Sequence, residues 1–451
     1  MVPVAAYVLV GRQHRKMRVV SKRLRLAIQA CFMVLLFTNQ VQYSKLIFQL
    51  LFTLPNLITA YTSCRHRKRN TYNALLFEQN WEANLIKLHK QLIDRTYRPG
   101  RSICFVVTNP KPREIFAADF RDRVVHHLLV NKIEPFFEKR FIFDSYACRE
   151  GKGCHTAVDR LHLAMKRASA NFSRPVYFVQ LDVRQFFPSI DKAILVNILQ
   201  RTLADIPQLK AMLLKILWLI EVIVWHDPTT NYFFKGNQKK IQQIPKTKSL
   251  FTVPSGKGLP IGNLTSQFFA NIYLNELDQY VKRTLKVPYY LRYADDMVLL
   301  AESIDQLKQW REKIDVFLQT RLELQLHPLK DHYGSVYQGI DFVGYMVKPK
   351  YRLSRQRVVR ALKNKLFQFN RQLLFAPAEI SNQLSLPLVR KPSQAEIDHM
   401  MSVVNSYYGH LLHANTYRLR KHLYEEHFGE LKSFLKPNKT VTSFLPISAT
   451  H

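Results

Sequence analysis

The sequence predicts an α+β fold, a small antiparallel sheet backed and extended by helices. Three observations predict it. Residues 176–183 (Val-Tyr-Phe-Val-Gln-Leu-Asp-Val) form an apolar run ending in an aspartate. Residues 289–301 run apolar, acidic, apolar, as a β-hairpin with Asp295 and Asp296 at its turn would. Long stretches of helical apolar spacing lie between and after these strands.

Taken in order, the chain opens on seven Lys/Arg between Arg12 and Arg25, followed by the apolar run Leu26 to Phe37. That run is shorter than the ~20 residues of a membrane span, and no small-residue cleavage site follows it. A second apolar patch, Leu46 to Leu54, ends at Pro55. Both read as amphipathic or partner-facing helices; a membrane anchor and an extension from an upstream start codon are the alternatives. The basic cluster Arg65 to Arg69 closes this extension. Phe77, Trp81, Leu85, Leu88 and Leu92 then mark a helix, broken at Tyr97-Arg98-Pro99-Gly100.

Ser102–Val107 and Arg113–Ala117 read as two strands joined by Thr108-Asn109-Pro110-Lys111-Pro112. Asp119 to Lys139 is helical, with Val124, Leu128, Ile133 and Phe136 spaced for burial. Residues 191–225 are helical, and 226–256 are a polar, lysine-containing loop or hairpin. Gly262 to Lys282 and Ile304 to Leu324 are helices. Residues 340–347 form a strand pair around Gly344, and from Tyr351 on the chain is basic and helical.

Composition narrows the function. Among 451 residues, 67 Lys and Arg face 33 Asp and Glu, a formal net charge of +34, while 47% of residues are apolar. The apolar share supports a packed core rather than disorder. The charge excess opposes compaction and points to a polyanionic partner, nucleic acid first. Five cysteines, Cys31, Cys64, Cys104, Cys148 and Cys154, show no C-x-x-C spacing, so they suggest reduced thiols in a cytosolic protein rather than zinc or disulfides.

The chemistry-bearing constellation is Asp182 with Asp295 and Asp296. Nucleotidyl transfer needs two divalent cations about 3.5–4 Å apart, one at the attacking hydroxyl and one at the leaving group. Hard carboxylate oxygens from adjacent strands suit magnesium, because a triphosphate supplies further ligands. An isolated Asp-Asp pair is ordinarily solvated surface; here apolar flanks, Val176–Leu181 and Met297–Leu300, would set the carboxylates on buried strands.

Three ordered segments carry a family resemblance. Tyr293-Ala294-Asp295-Asp296 resembles the Tyr-x-Asp-Asp box of reverse transcriptases. Leu181 to Ile190 (Leu-Asp-Val-Arg-Gln-Phe-Phe-Pro-Ser-Ile) is similar to that family's first palm motif, and Gly258 to Leu274 to the nucleotide-pocket motif between them. The resemblance covers residues 70–345 and extends loosely into the C-terminal stretch. It implies a right-hand polymerase fold with fingers (70–175), a palm of antiparallel sheet backed by helices (176–345, with an insertion at 191–256) and a helical basic thumb (346–451), preceded by the extension 1–69.

The same resemblance implies roles. Asp182, Asp295 and Asp296 would be catalytic and, with Val183, would bind two Mg²⁺ ions, Mn²⁺ being a substitute. Lys111 and Arg113 would clamp the incoming triphosphate. Phe187, with Phe186 as the alternative, would gate against a 2′-hydroxyl. Ile261, Gly262 and Gln267 would line the nucleotide pocket, and Lys330 would approach the triphosphate. Arg121, Arg123, Arg149 and Lys152 would touch the template backbone, and Tyr293, Gly344 and Tyr345 the nucleic acid. His126 and His127 are packing or RNA contacts rather than metal ligands.

Many relatives carry Gln-Gly-x-x-x-Ser-Pro where this chain has Ile261 to Gln267. An aliphatic residue first and Gln last resembles diversity-generating retroelement enzymes. That implies an RNA template, a DNA or RNA primer, dNTPs, errors at template adenines, a small basic accessory protein, no integral membrane partner and a cytoplasmic, bacterial or phage-encoded enzyme. A retron, group II intron-like or phage-defence enzyme without targeted mutagenesis is the alternative, and a non-catalytic RNA-binding protein the second. No maturase zinc motif, H-N-H box or RNase H acid cluster is evident. Residues 1–45 depart from the family pattern.

Overall fold

The computed structural model describes residues 51–66, 71–108, 111–374 and 390–447. The N-terminal helices expected before residue 51, Cys31 within them, the end of the basic cluster Arg65–Arg69 and the Asn109-Pro110 turn lie outside the described residues.

Along the chain the elements are α1 (Leu54–Arg65), α2 (Tyr72–Gln79), α3 (Trp81–Ile93), β1 (Ser102–Val107), β2 (Arg113–Ala117), α4 (Phe120–Glu138), α5 (Cys154–Ala168), β3 (Tyr177–Asp182) and α6 (Lys192–Ala204). There follow α7 (Leu213–Val224), β4 (Tyr232–Phe234), α8 (Leu264–Gln279), β5 (Tyr289–Tyr293), β6 (Asp296–Ala301), α9 (Ile304–Leu322), β7 (His332–Ser335), β8 (Ile340–Phe342), β9 (Tyr345–Val347) and β10 (Arg352–Ser354). The chain closes with α10 (Gln356–Leu373), α11 (Gln394–Leu412), α12 (Tyr417–His427), β11 (Leu435–Pro437) and β12 (Phe444–Pro446). This is the α+β class expected.

Several boundaries differ from the sequence reading, each for a local reason. Pro55 starts a helix rather than ending one: Thr53 Oγ1 caps the Asn56 amide, and proline is tolerated in a first helical turn. The single helix expected around Phe77–Leu92 is two, parted at Asn80. The 226–256 loop contributes β4, which pairs in parallel with β1. The C-terminal region is not purely helical; β10 and the β11–β12 hairpin interrupt it. Helix α5 and edge strand β7 had no sequence signal assigned to them.

The chain divides into two compact units. One comprises the described residues up to Glu138 with Val196–Gln243 and Ile261–Thr265; the other comprises Lys139–Leu195, Ile244–Pro260 and the residues from Ser266 on. In the first, β2-β1-β4 form a sheet, and the Phe116 amide donates to the Ile261 carbonyl at 2.8 Å. In the second, a four-stranded antiparallel sheet has the order β5-β6-β3-β7. Because side chains alternate along a strand, this sheet buries both faces. Phe178, Leu291, Val298 and Leu300 pack with Val158, Leu161 and Met165 of α5, while α9 lies against β3 and β6. A separate core in the same unit joins α10, α11, α12 and the terminal hairpin through Leu366, Phe369, Val404, Tyr408, Leu423 and Phe444. Its helix α11 begins with a capping box, Ser393 and Glu396 bonding each other's backbone amides. Among the described residues no helix is long and apolar enough to cross a membrane, and Cys64, Cys104, Cys148 and Cys154 are free thiols.

Candidate active site

Strands β3 and β6 bring the aspartates together. They pair antiparallel in a register that sets Leu181 opposite Met297 and Asp182 opposite Asp296. Directly opposed residues of such strands have Cα atoms ~4.5–5.5 Å apart. The apolar residues before Asp182 and after Asp296 are buried, so both carboxylates sit at the ends of strands held in the core. Asp295 lies in the two-residue turn between β5 and β6, after Ala294 at φ +55°.

The three carboxylates crowd one another. Asp296 is pushed up to about 7, first by removal from water and then by Asp295 and Asp182, against the opposing pull of Lys330 and Arg355. Asp296 keeps an exposed surface, so solvent screens part of this, and the upward direction is what the charge arrangement requires. Lys330, on the loop after α9, places its ammonium 2.7 Å from Asp182 Oδ2. The Asp182 carbonyl also accepts from the His327 amide at 2.8 Å, tying this loop to the strand end.

Hard carboxylate oxygens in this arrangement suit magnesium. Among the described residues, no group of three or more His, Cys, Asp or Glu side chains could hold a metal ion by itself. Asp182, Asp295 and Asp296 offer hard oxygen donors of the kind that magnesium takes while keeping several water ligands. Val183 is buried and bridges Leu326, so its side chain is not a ligand; only its carbonyl belongs to the donor set expected.

Beneath the aspartate turn lies a network that sequence reading missed. Arg292, fully buried in β5, donates to both carboxylate oxygens of Asp278 on α8, Nη2 to Oδ2 at 2.6 Å and Nε to Oδ1 at 2.8 Å. Its Nη1 donates to the Ala294 carbonyl at 3.0 Å and to Asn271 Oδ1 at 3.2 Å. Tyr290 donates to Asp278 Oδ1 at 2.8 Å. The available signal was an arginine inside Tyr-Tyr-Leu-Arg-Tyr, a strand otherwise without charge.

The phenylalanines separate cleanly. A single helical turn at Phe186–Ser189 follows Gln185 at φ +49°. Phe186 is buried in the core and meets Phe187 edge-on at 5.5 Å, while Phe187 keeps part of its surface exposed. Gln267, on the first turn of α8, is exposed. In the other unit Lys111 and Arg113 are exposed at the β1–β2 connection. Gly262 there adopts φ +124°, and a Cβ would stand 2.7 Å from Ile115 Cγ2 and 3.2 Å from the Phe116 carbonyl oxygen. Only glycine fits.

Other expected nucleic-acid residues are engaged internally. Arg121 bonds Asp122 and the Arg98 carbonyl, Arg123 the Ala118 carbonyl, Arg149 the Ile142 and Ser145 carbonyls, and Lys152 the Phe143 carbonyl. Tyr293 is half-buried against the core. Tyr345, expected at the nucleic acid, has a fully buried ring stacked on His410 at 4.5 Å, and its hydroxyl donates to the His410 carbonyl at 2.9 Å beside His155 Nδ1 at 3.2 Å. Gly344, at φ +102° beside His410, leaves backbone rather than a ring at that turn. His126 is buried, and burial with the nearby His127 lowers it to about 3, so it packs as a neutral ring.

The sequence model for "Reverse transcriptase (RNA-dependent DNA polymerase)" matches residues 108–347, just over half of the chain. The chain belongs to the reverse transcriptase family. Protein YkfC of Escherichia coli is 23% identical over 325 residues, 64% of this chain and 78% of that protein. The group II intron-encoded protein LtrA of Lactococcus lactis is 22% identical over 332 residues, 59% of this chain, which spans 50% of LtrA's own length. Nuclear intron maturase 1, mitochondrial, of Arabidopsis thaliana is 33% identical over 230 residues, 44% of this chain and 29% of the maturase. Among solved structures, telomerase from Candida albicans superposes with a TM-score of 0.39 at 11% identity, over 78% of this chain and 62% of that one.

Proposed function

We propose that this reverse transcriptase extends a primer on an RNA template by nucleotidyl transfer at Asp182, Asp295 and Asp296. The observation that carries the reading is the register of Asp182 against Asp296 next to the Asp295 turn. On this reading the four-stranded sheet is the palm, the β1–β2 hairpin belongs to the fingers, and the basic helix α10 with its successors is the thumb. Lys111 and Arg113 are assigned to the triphosphate, Phe187 to the sugar and the Gly344 backbone to the primer.

Each addition joins the primer 3′ oxygen to the α-phosphorus and breaks the α–β phosphoanhydride, releasing pyrophosphate. The 3′-hydroxyl proton is lost in the same exchange. Two magnesium ions, held by the three carboxylates and the Val183 carbonyl, would supply Lewis-acid activation of the hydroxyl and neutralise the leaving charge. The chain's own residues orient the reacting groups. Lys330, at Asp182, can turn to the pyrophosphate and donate a proton as the anhydride bond breaks.

The finer reading is the error-prone enzyme of a diversity-generating retroelement, supported by Ile261 and Gln267 and acting with a small basic accessory protein. Pocket shape alone discriminates by only about 1–3 kcal/mol, so altering this wall is a cheap route to mispairing. A group II intron-like enzyme without targeted mutagenesis is the second reading, favoured by the likeness to LtrA. The test is primer extension with an RNA template, dNTPs and Mg²⁺. Asp295→Ala and Asp182→Ala abolish synthesis and leave RNA binding intact; undiminished synthesis in either overturns the proposal. Sequencing the cDNA separates the two finer readings.

A further inference from the structure

Behind the aspartate turn stands a fully buried ion pair. Arg292 and Asp278 are both fully buried. Removing two charges from water is costly, and apolar replacement of such a pair is often neutral or stabilising. The surrounding strand is otherwise suited to that replacement: Tyr290 and Leu291 before Arg292 are buried. What the pair does instead is local. The guanidinium reaches past its own partner to the Ala294 carbonyl at 3.0 Å. Ala294 has φ +55°, a strained conformation for a residue with a Cβ, and no glycine relieves it.

The strand carrying Arg292 is clamped from behind as well. The Arg292 amide donates to the Asp144 carbonyl at 2.9 Å, and the Arg292 carbonyl accepts from the Tyr146 amide at 3.0 Å. Asn271 joins the same network, accepting from Arg292 and donating to the Ala147 carbonyl at 2.7 Å. The guanidinium is thus held by Asp278 and Asn271, and its Nη1 also donates to the turn at the Ala294 carbonyl.

We propose that Arg292, oriented by Asp278, is a positioning residue that holds the Ala294–Asp295 turn so that Asp295 and Asp296 present their carboxylates to divalent cations. The inference rests on the polymerase reading for its catalytic consequence, though not for its binding consequence. A residue that acts through turn geometry changes metal binding and kcat without changing how primer and template bind. Misplacing catalytic groups by about 1 Å costs on the order of 100-fold in rate.

The experiment uses the full chain and two variants. Arg292→Met combined with Asp278→Leu removes both charges together, so neither is stranded. Arg292→Lys keeps the charge beside Asp278 but replaces the planar fork with a single ammonium that cannot serve Asp278 and Ala294 at once. Mn²⁺ binding is measured by electron paramagnetic resonance without nucleotide. Primer–template affinity, kcat, dNTP KM and melting temperature are measured beside it.

The expected result for either folded variant is Mn²⁺ affinity lower by about tenfold, kcat lower by about 10- to 100-fold, and primer–template affinity within about twofold of wild type. Raised Mg²⁺ should restore part of the rate, which no purely structural defect would do. Wild-type Mn²⁺ affinity and kcat in a folded Arg292→Lys chain overturn the proposal, whatever happens to the double variant. If the wild-type chain makes no cDNA, the polymerase reading falls. The Mn²⁺ measurement then still decides the positioning role: a drop sustains it and no change overturns it.

Discussion

Replacing Gly262 by alanine tests how the segment from Ile261 packs against β2. The added Cβ meets Ile115 Cγ2 at 2.7 Å and the Phe116 carbonyl oxygen at 3.2 Å, at a backbone φ of +124°. Two penalties combine. A non-glycine residue in such a conformation costs about 1–3 kcal/mol, and forcing an extra carbon into a filled space costs about 1–3 kcal/mol more. The neighbour cannot yield cheaply, because Phe116 is backbone-bonded to Ile261 at 2.8 Å and its ring is buried. The expected loss is about 4 kcal/mol. Gly236→Ala is the control: it lies in the same unit at φ +102° with nothing within 4 Å of the new Cβ, so only the conformational penalty, about 2 kcal/mol, applies. Urea unfolding followed by tryptophan fluorescence reads the difference, since Trp81, Trp218 and Trp225 all lie in that unit. If the two variants unfold within about 0.5 kcal/mol of each other, the close approach of Gly262 to β2 is not what constrains this position.

Other expectations follow from the same geometry. His126, lowered to about 3 by burial, titrates near 6.5 when unfolded, so its contribution is present above pH 6.5 and is lost as pH falls toward 3. Between pH 7 and pH 5 this amounts to about 2 kcal/mol, and denaturation midpoints of wild type should fall more steeply over that range than those of His126→Leu; parallel profiles would contradict it. Lys330→Ala removes a half-exposed ion pair with Asp182 and should change stability by less than about 1 kcal/mol while lowering kcat; a melting shift with unchanged kcat would place Lys330 in the scaffold alone. Tyr345→Phe strips the hydroxyl that bonds His410 and contacts His155 and should cost about 1–2 kcal/mol, seen as a lower unfolding midpoint; no loss would mean the histidines repair themselves. On the retroelement reading, Ile261→Gln should lower the error rate at template adenines in sequenced cDNA, and an unchanged rate counts against that reading of the pocket wall.

Much of the fold was legible because local pattern and burial agree. Strand β3 and the β5–β6 hairpin announce themselves as apolar runs bounded by acids, while the register that sets Asp182 against Asp296 appears only in their pairing within the sheet. The β1–β2 hairpin has the bounds its sequence predicts. Helix α5 was hidden behind Gly151 and Gly153, which read as loop, and edge strand β7 is only four residues and half exposed, too short to show a period. Phe186 and Phe187 were indistinguishable by residue type, and only the turn after Gln185 buries one and leaves the other partly open.

By itself the sequence determined the family, the strand-borne aspartates and the strongly basic character, because these depend on residue type at short spacing. Tertiary structure alone decided which partners those residues meet. Asp278 and Arg292 lie 14 residues apart, on a helix and a strand that the sequence does not bring into contact. Lys330 reaches Asp182 across 148 residues, and the Tyr345 hydroxyl meets the His410 carbonyl 65 residues away. Long-range hydrogen bonds are fixed by how elements pack, and packing is a property of the whole chain rather than of any segment.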